Sequence, residues 1–227
     1  MPMVYLAGNG FGGEVQGNFG TYVADSYGNF TVDTRDTPSM LALGMTYVTR
    51  ESHSMTFPKA PAAASAAGIV ASVGLSDGAL TIAAQPDVLR QVEFVIGAGT
   101  SAISAGNLAV TYVGNDGITA TENISLVLPA NGGATVSLSR GVDTIASATV
   151  TGLVGGALPF IYAGTTNTLA LNVTPDFSSF AVVREYDAGA TVAVGTVNAA
   201  IGGIDPTTAP NGTVTYSFVY SFVAPTS

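Results

Sequence analysis

The residues able to do chemistry are few and widely spaced. His53 is the one histidine, and cysteine is absent. A Ser–His–acid triad needs a base held by an acid beside a positioned nucleophile, and Ser52-His53-Ser54 lies in no nucleophile-elbow pattern. One histidine and no cysteine leave a zinc or redox metal site without its usual ligands. They also leave no disulfide and no thiolate nucleophile. Asp77, Asp87, Asp116, Asp143, Asp176, Asp187 and Asp205 stand mostly beside Gly, Pro or Thr, where aspartate closes turns by bonding its own backbone. No segment alternates acids around a glycine as a calcium loop does. A glycosidase needs two carboxylates across a sugar site, and with tryptophan absent and aromatics at 8% the sugar platforms are scarce. The expectation is a protein that is not an enzyme, with no catalytic residue, cofactor or metal.

Gly8-Asn9-Gly10-Phe11-Gly12-Gly13 follows a strand candidate at Met3–Ala7, and Asp33 stands about 20 residues on, as in a dinucleotide fingerprint. That chemistry needs a helix N-terminus facing the pyrophosphate. Gly17 and Gly20 interrupt any such helix, and Phe19, Thr21, Tyr22 and Val23 favour strand. The reading is a glycine loop. Sequons at Asn29, Asn123, Asn172 and Asn211 are what chance supplies in a Thr-rich chain.

Charged residues are 9% of the 227, against roughly 25% in ordinary domains. Hydrophobic residues are 47%, and mean hydropathy is +0.44. No run approaches the ~18 apolar residues of a spanning helix, and paired aromatic girdles of a membrane barrel are not evident. Net charge is −9 and the six basic residues are scattered, so nucleic acid is excluded as a partner. A surface of Ser, Thr, Asn, Gly and Ala suits packing into a larger assembly, where neighbours cover part of the apolar excess. Lack of cysteine fits a reducing compartment or a particle assembled in one. Met1 to Leu6 reads as no signal peptide.

The elements that must position these residues are strands. Val92, Phe94 and Ile96 alternate with Gln91, Glu93 and Val95, the pattern of a half-buried strand. Asn115-Asp116-Gly117 turns Leu108–Val113 back into Ile118–Leu128 as a hairpin. Asp77-Gly78 is read the same way, between Ile69–Val73 and Leu80–Ala83. Further strands are expected over 135–138, 144–150, 160–162, 168–173, 180–186, 191–194 and 214–223. In the last of these, aromatics are read on both faces, one of them toward a partner. Tyr22-Val23 and Phe30–Val32 are expected to form a small hairpin. A short helix is expected from Asp36 or Thr37, with Pro38 in its first turn, Met40, Leu41 and Leu43 as its apolar side, and Gly44 ending it. The fold class is therefore all-β: an antiparallel β-sandwich or barrel over 68–227, a Pro/Ala linker at 58–67, and a small N-terminal arm with one helix at 1–57.

Gln85-Pro86-Asp87-Val88-Leu89-Arg90, the alternating strand after it, Leu108–Val113 with Asn115-Asp116-Gly117, Ala120-Thr121-Glu122-Asn123 and Thr144–Val150 together resemble a β-domain of tailed-bacteriophage virion proteins. The family motif has proline where this chain has Leu89. Val32-Asp33-Thr34-Arg35-Asp36 leading into the short helix resembles the start of small phage head proteins. The resemblance implies a capsid decoration (cement) protein, non-enzymatic and homo-oligomeric. Such a protein sits on the capsid exterior of a virion assembled in the host cytoplasm. It would bind the major capsid protein and neighbouring copies of itself, with no nucleic acid and no membrane. Contacts are expected from the arm, at Tyr5, Phe11, Phe19 and Tyr22, and from Met40 and Leu41 of the helix. Deleting 1–57 is expected to abolish capsid binding and leave the β-domain folded. Other readings are a receptor- or glycan-binding module of a head or tail fibre, favoured by exposed aromatics near Tyr162 and Tyr186, and a tail-tube or connector component.

Overall fold

The computed structural model describes residues 3–7, 14–23, 29–43, 45–47, 50–173 and 178–223. By compactness the chain divides into two units. Unit 1 comprises Met1–Ser52, Pro175–Phe180 and Ser221–Ser227, and unit 2 comprises His53–Thr174 and Ala181–Tyr220. Both are antiparallel β-structure, with one short helix among the described residues.

Unit 1 contains β1 (Met3–Ala7), β2 (Glu14–Gln16), β3 (Thr21–Val23), β4 (Asn29–Asp33), α1 (Thr37–Ala42) and β5 (Thr46–Tyr47). β1 lies between β4 and β5, with Leu6 opposite Phe30. β2 and β3 form a separate hairpin closed at Gly17–Gly20. The expected pairing of Tyr22-Val23 with Phe30–Val32 is thus corrected: both strands exist, each with another partner. The nearer turn closes β3 onto β2, and pairing with β1 lets Phe30 and Val32 join Leu6 in a core with Tyr22, Met40 and Met45. α1 starts where expected, with Asp36 at the N-cap and Pro38 in the first turn.

Unit 2 is built on β6 (Arg50–Thr56), β7 (Ser65–Gly74), β8 (Gly78–Ala79), β9 (Arg90–Gly97), β10 (Ile103–Gly114), β11 (Thr119–Ser125), β12 (Gly133–Ser137), β13 (Val142–Gly155), β14 (Phe160–Ala170), β15 (Ser178–Asp187), β16 (Ala190–Val192), β17 (Thr196–Asn198), β18 (Gly203–Asp205) and β19 (Tyr216–Val223), of which Arg50–Ser52, Ser178–Phe180 and Ser221–Val223 are counted with unit 1. One sheet runs β11-β10-β13-β9-β14-β18-β17, with β12 on β9, β7 on β14 and β8 on β13. A second runs β16-β15-β19-β6. β13 and β9 meet only at Val142 and Arg90. The strands on either side of that point share one core, including Val92, Phe94, Ile96 and Ile161 from one side and Leu108, Val110, Tyr112 and Val150 from the other.

β9 alternates as its sequence predicts, with Val92, Phe94 and Ile96 all but fully buried. Truncating Phe94 to Ala would cost about 3–5 kcal/mol by the usual large-to-small cost in a core. The Asp116-Gly117 hairpin joins β10 to β11, with Gly117 at φ +75. Asp77-Gly78 makes no hairpin. β7 pairs with β14 and β8 with β13, so the chain crosses over there, and Leu80–Ala83 is irregular. β19 differs too: Tyr216, Phe218, Tyr220 and Phe222 are all buried and share one parity, hence one face. Its aromatics therefore leave no second aromatic face for a partner.

The Pro/Ala segment is bonded into unit 2. The Gly212 N–H donates to the Pro61 carbonyl at 2.7 Å, the Ala62 N–H donates to the Asp87 carboxylate at 2.6 Å, and β7 begins at Ser65.

Candidate functional site

The residues expected to make contacts are distributed unevenly between surface and core. Tyr22 and Met40 are buried in the core of unit 1 and Leu41 packs against it, so the first two carry the fold. Phe19 is 55% exposed. Tyr5 lies in β1, with its side chain outside the described residues, and Phe11 lies outside them as well. Unit 1 also exposes Val23 (68%) and Leu43 (51%).

Phe19 is held from two sides. The Arg35 guanidinium stands 4.1 Å from its ring centroid, in cation–π range. The Phe19 N–H donates to the Asp36 carboxylate at 2.9 Å. Asp36 therefore does not cap α1 with its side chain. It accepts instead from the Asn18 N–H at 2.9 Å and the Tyr22 hydroxyl at 2.6 Å. Burial pushes its carboxyl up, but these three donors outweigh burial and hold it below the usual range. Gly17 must be glycine, because a Cβ there would overlap that carboxylate. Arg35 pairs with Asp33 through Nε at 3.0 Å and NH2 at 2.8 Å, and these bonds bring the Asp33 carboxyl down to about 2. Where a dinucleotide site would need a helix, the chain has the β2–β3 hairpin, and Asp33 is committed to Arg35. The glycine loop Gly8–Gly13 lies outside the described residues.

In unit 2, His53 stacks on Tyr220 with ring centroids 5.6 Å apart. Asp116 accepts from the Ile118 N–H two residues on, as a turn aspartate does, whereas Asp77, Asp87 and Asp205 accept from Leu153, Ala62 and Thr168, distant in sequence. No group of three or more His, Cys, Asp or Glu among the described residues is placed to hold a metal ion.

Two buried ionic arrangements escaped the sequence reading. Arg90 is buried and donates through NH1 to the Ala62 carbonyl at 2.8 Å and to Asp87 at 3.0 Å, while its Nε and NH2 have no partner. Glu185 is fully buried and accepts from the Gly195 and Thr207 N–H groups, each at 2.7 Å. Asp187, on the same face of β15, has neither oxygen hydrogen-bonded. Burial pushes the Glu185 carboxyl up, the two N–H groups pull it back, and the charge of Asp187 adds to the rise. Arg90 and Asp87 line a small concavity of about 130 Å³ with Ala62, Gln85 and Thr165.

A groove of about 480 Å³ lies at one end of unit 2. It forms because β12 pairs antiparallel with β9, Gly133 opposite Gly97, and β14 pairs with β9 on the other side, Phe160 opposite Gly97. The turns Gly97–Thr100 and Asn131–Gly133 wall it, and Phe160, 39% exposed, forms a side. A Cβ on Gly97 would overlap the Phe160 ring, so glycine lets that ring lie on the sheet. Tyr162 stacks parallel to Phe160 at 6.1 Å and 6°. None of the groove's lining residues is charged. Sequence pattern places both Gly-rich turns but says nothing of their meeting, which depends on a strand pairing about 40 residues apart, a long-range contact.

Comparison with protein-family models, with curated proteins and with solved structures finds no match.

Proposed function

We propose that the chain is a non-enzymatic structural protein of a virion, a decoration protein that binds the assembled capsid and stabilises it. The reading joins the resemblance carried by Gln85–Arg90 and Asn115-Asp116-Gly117 to one feature of the molecule. Unit 1 turns Phe19, Val23 and Leu43 outward although its own core is small. Exposed apolar side chains on a charge-poor protein gain by burial against another subunit. Its ionic groups Asp33 and Arg35 are already paired with each other, so such burial would strand no charge between them. The partners are the major capsid protein and neighbouring copies of the chain, and unit 2, read as a β-sandwich, is the displayed part.

The test is co-sedimentation with assembled tail-less capsids, followed by electron microscopy. The expected result is stoichiometric density on the shell for the wild type, and its loss when Phe19→Ser, Val23→Ser and Leu43→Ser are combined. All three positions are exposed, so the combined variant keeps its core. Bare capsids with wild-type protein, or undiminished decoration by the variant, would overturn the proposal.

A further inference from the structure

The groove at the end of unit 2 has a chemistry that narrows what it can hold. We infer that it is a binding site for a neutral carbohydrate, with one pyranose ring seated against Phe160. The inference does not rest on the capsid reading.

Size comes first. At about 480 Å³ the groove falls within the range of small-ligand sites. Charge comes second. In a molecule of net charge −9, this concavity carries no Asp, Glu, Lys, Arg or His. An anionic ligand would find no cation to replace its lost hydration, and a cationic one no carboxylate, so a charged ligand would pay desolvation without return. Shape comes third. Phe160 presents a ring that Gly97 allows to lie against the sheet, with the Tyr162 ring parallel to it at 6.1 Å between centroids. A flat π face suits a ligand with a flat, weakly polar C–H face.

The polar groups complete the match. Thr100, Asn131 and Thr135 are exposed along the rim, two hydroxyls and an amide. Together they offer both donors and acceptors, which hydroxyl edges of a sugar require. Asn131 is held at φ 56, with its N–H donating to the Gly99 carbonyl at 2.7 Å. The amide is thus carried on a fixed turn and loses little freedom on binding. A wholly apolar ligand would leave these three groups without a role, and an extended peptide would need side-chain sockets that a glycine-floored groove lacks.

The probe is an array of neutral oligosaccharides (glucans, mannans, galactans and N-acetylhexosamine oligomers) beside sialylated and sulfated glycans and uncharged peptides. It is read with the full-length protein and with Phe160→Ala and Asn131→Ala. Each hit is then titrated by NMR, following the amide signals of Gly97, Gly99, Gly132 and Gly133. The expected result is a neutral saccharide bound with shifts at those glycines, and a loss of at least about tenfold in affinity for each variant. Far-ultraviolet circular dichroism and melting confirm that the variants fold. Four outcomes each overturn the inference: no neutral saccharide bound at millimolar concentration, preference for the charged glycans, preference for the peptides, or binding unchanged in folded Phe160→Ala.

Discussion

Asn115 is the residue through which the β10–β11 turn is fastened to the rest of unit 2. Its Nδ2 donates to the Leu171 carbonyl at 2.8 Å and to the Ile201 carbonyl at 2.9 Å, and its backbone N–H donates to the Gly141 carbonyl at 2.9 Å. One buried amide thus ties three separate chain segments. Asn115→Ala leaves two buried carbonyls without donors. At about 1.5 kcal/mol for each stranded acceptor, the loss is about 3 kcal/mol, or a fall in Tm of about 6–12 °C for a chain of this size. Asn115→Asp is the sharper probe, because it keeps the shape and replaces both donors by carboxylate oxygens facing carbonyl oxygens. It should be less stable than Asn115→Ala at pH 7. Burial and the two carbonyls would push the new carboxyl up, so the variant's penalty is present above the unfolded carboxylate pKa and relaxes as pH falls through the raised folded value. Protonation then restores one donor. Urea and thermal unfolding across pH 4–8 measure both effects. Gly117→Ala, at φ +75, is the local control and should cost about 1 kcal/mol through backbone strain alone. If both Asn115 variants lie within about 0.5 kcal/mol of wild type, in the range of ordinary surface changes, the turn is held by its own geometry and the anchoring argument fails.

Other expectations follow from the buried ionic groups. Asp87→Ala removes the one acid paired with buried Arg90 and should cost about 3 kcal/mol, because the charge is left uncompensated. Adding Arg90→Met should recover much of that loss, and a double variant no better than the single one refutes the charge argument. Asp187→Asn removes a carboxylate with no donor beside Glu185, whose own carboxyl is raised. A raised folded pKa means stability is lost as pH rises from the unfolded value through the folded one. The substitution should therefore raise Tm at pH 8 more than at pH 5, and a lower Tm at pH 8 would show that the acid has an unrecognised favourable partner.

Local pattern was legible where a strand faces one core and where a turn has its own chemistry. Period-2 alternation located β9, Asp-Gly placed the β10–β11 hairpin, and Asp36-Thr37-Pro38 began α1. Pairing partners were not legible. Asp77-Gly78 has hairpin composition, yet its flanks belong to β14 and β13, because burying Ile69 and Val70 on β14 decides more than the turn does. Ala163-Gly164-Thr165 reads as a break between two short strands, whereas β14 runs through it. Gly164 is there because a Cβ would overlap the backbone of Ser65 and Ala66. β17 and β18 escaped altogether, each being three residues long with too little sequence for alternation to show. Of the expected contact residues, Phe19 stands on the surface, while the aromatic and apolar character of Tyr22 and Met40 serves a core. Hydrophobicity alone does not distinguish those two uses.

That ambiguity bears directly on how an attachment surface can be located. Removing residues 1–57 deletes more than an N-terminal piece. It takes away β6, the neighbour of β19 in the second sheet. It also takes away Phe57, whose N–H donates to the Tyr216 carbonyl at 3.0 Å and whose ring meets Phe218 edge-on, and His53, stacked on Tyr220. The Phe218 and Tyr220 rings would then lose these aromatic contacts, and β19 would be left with an unpaired strand edge. Such a truncated chain would lose the proposed capsid binding through aggregation or local unfolding whether or not unit 1 forms the attachment surface. Unit 1 also draws on Pro175–Phe180 and Ser221–Ser227, so no single cut in sequence isolates it. The informative perturbations are therefore side-chain changes at Phe19, Val23 and Leu43, which alter an outer surface and leave β6 and the aromatic row of β19 in place.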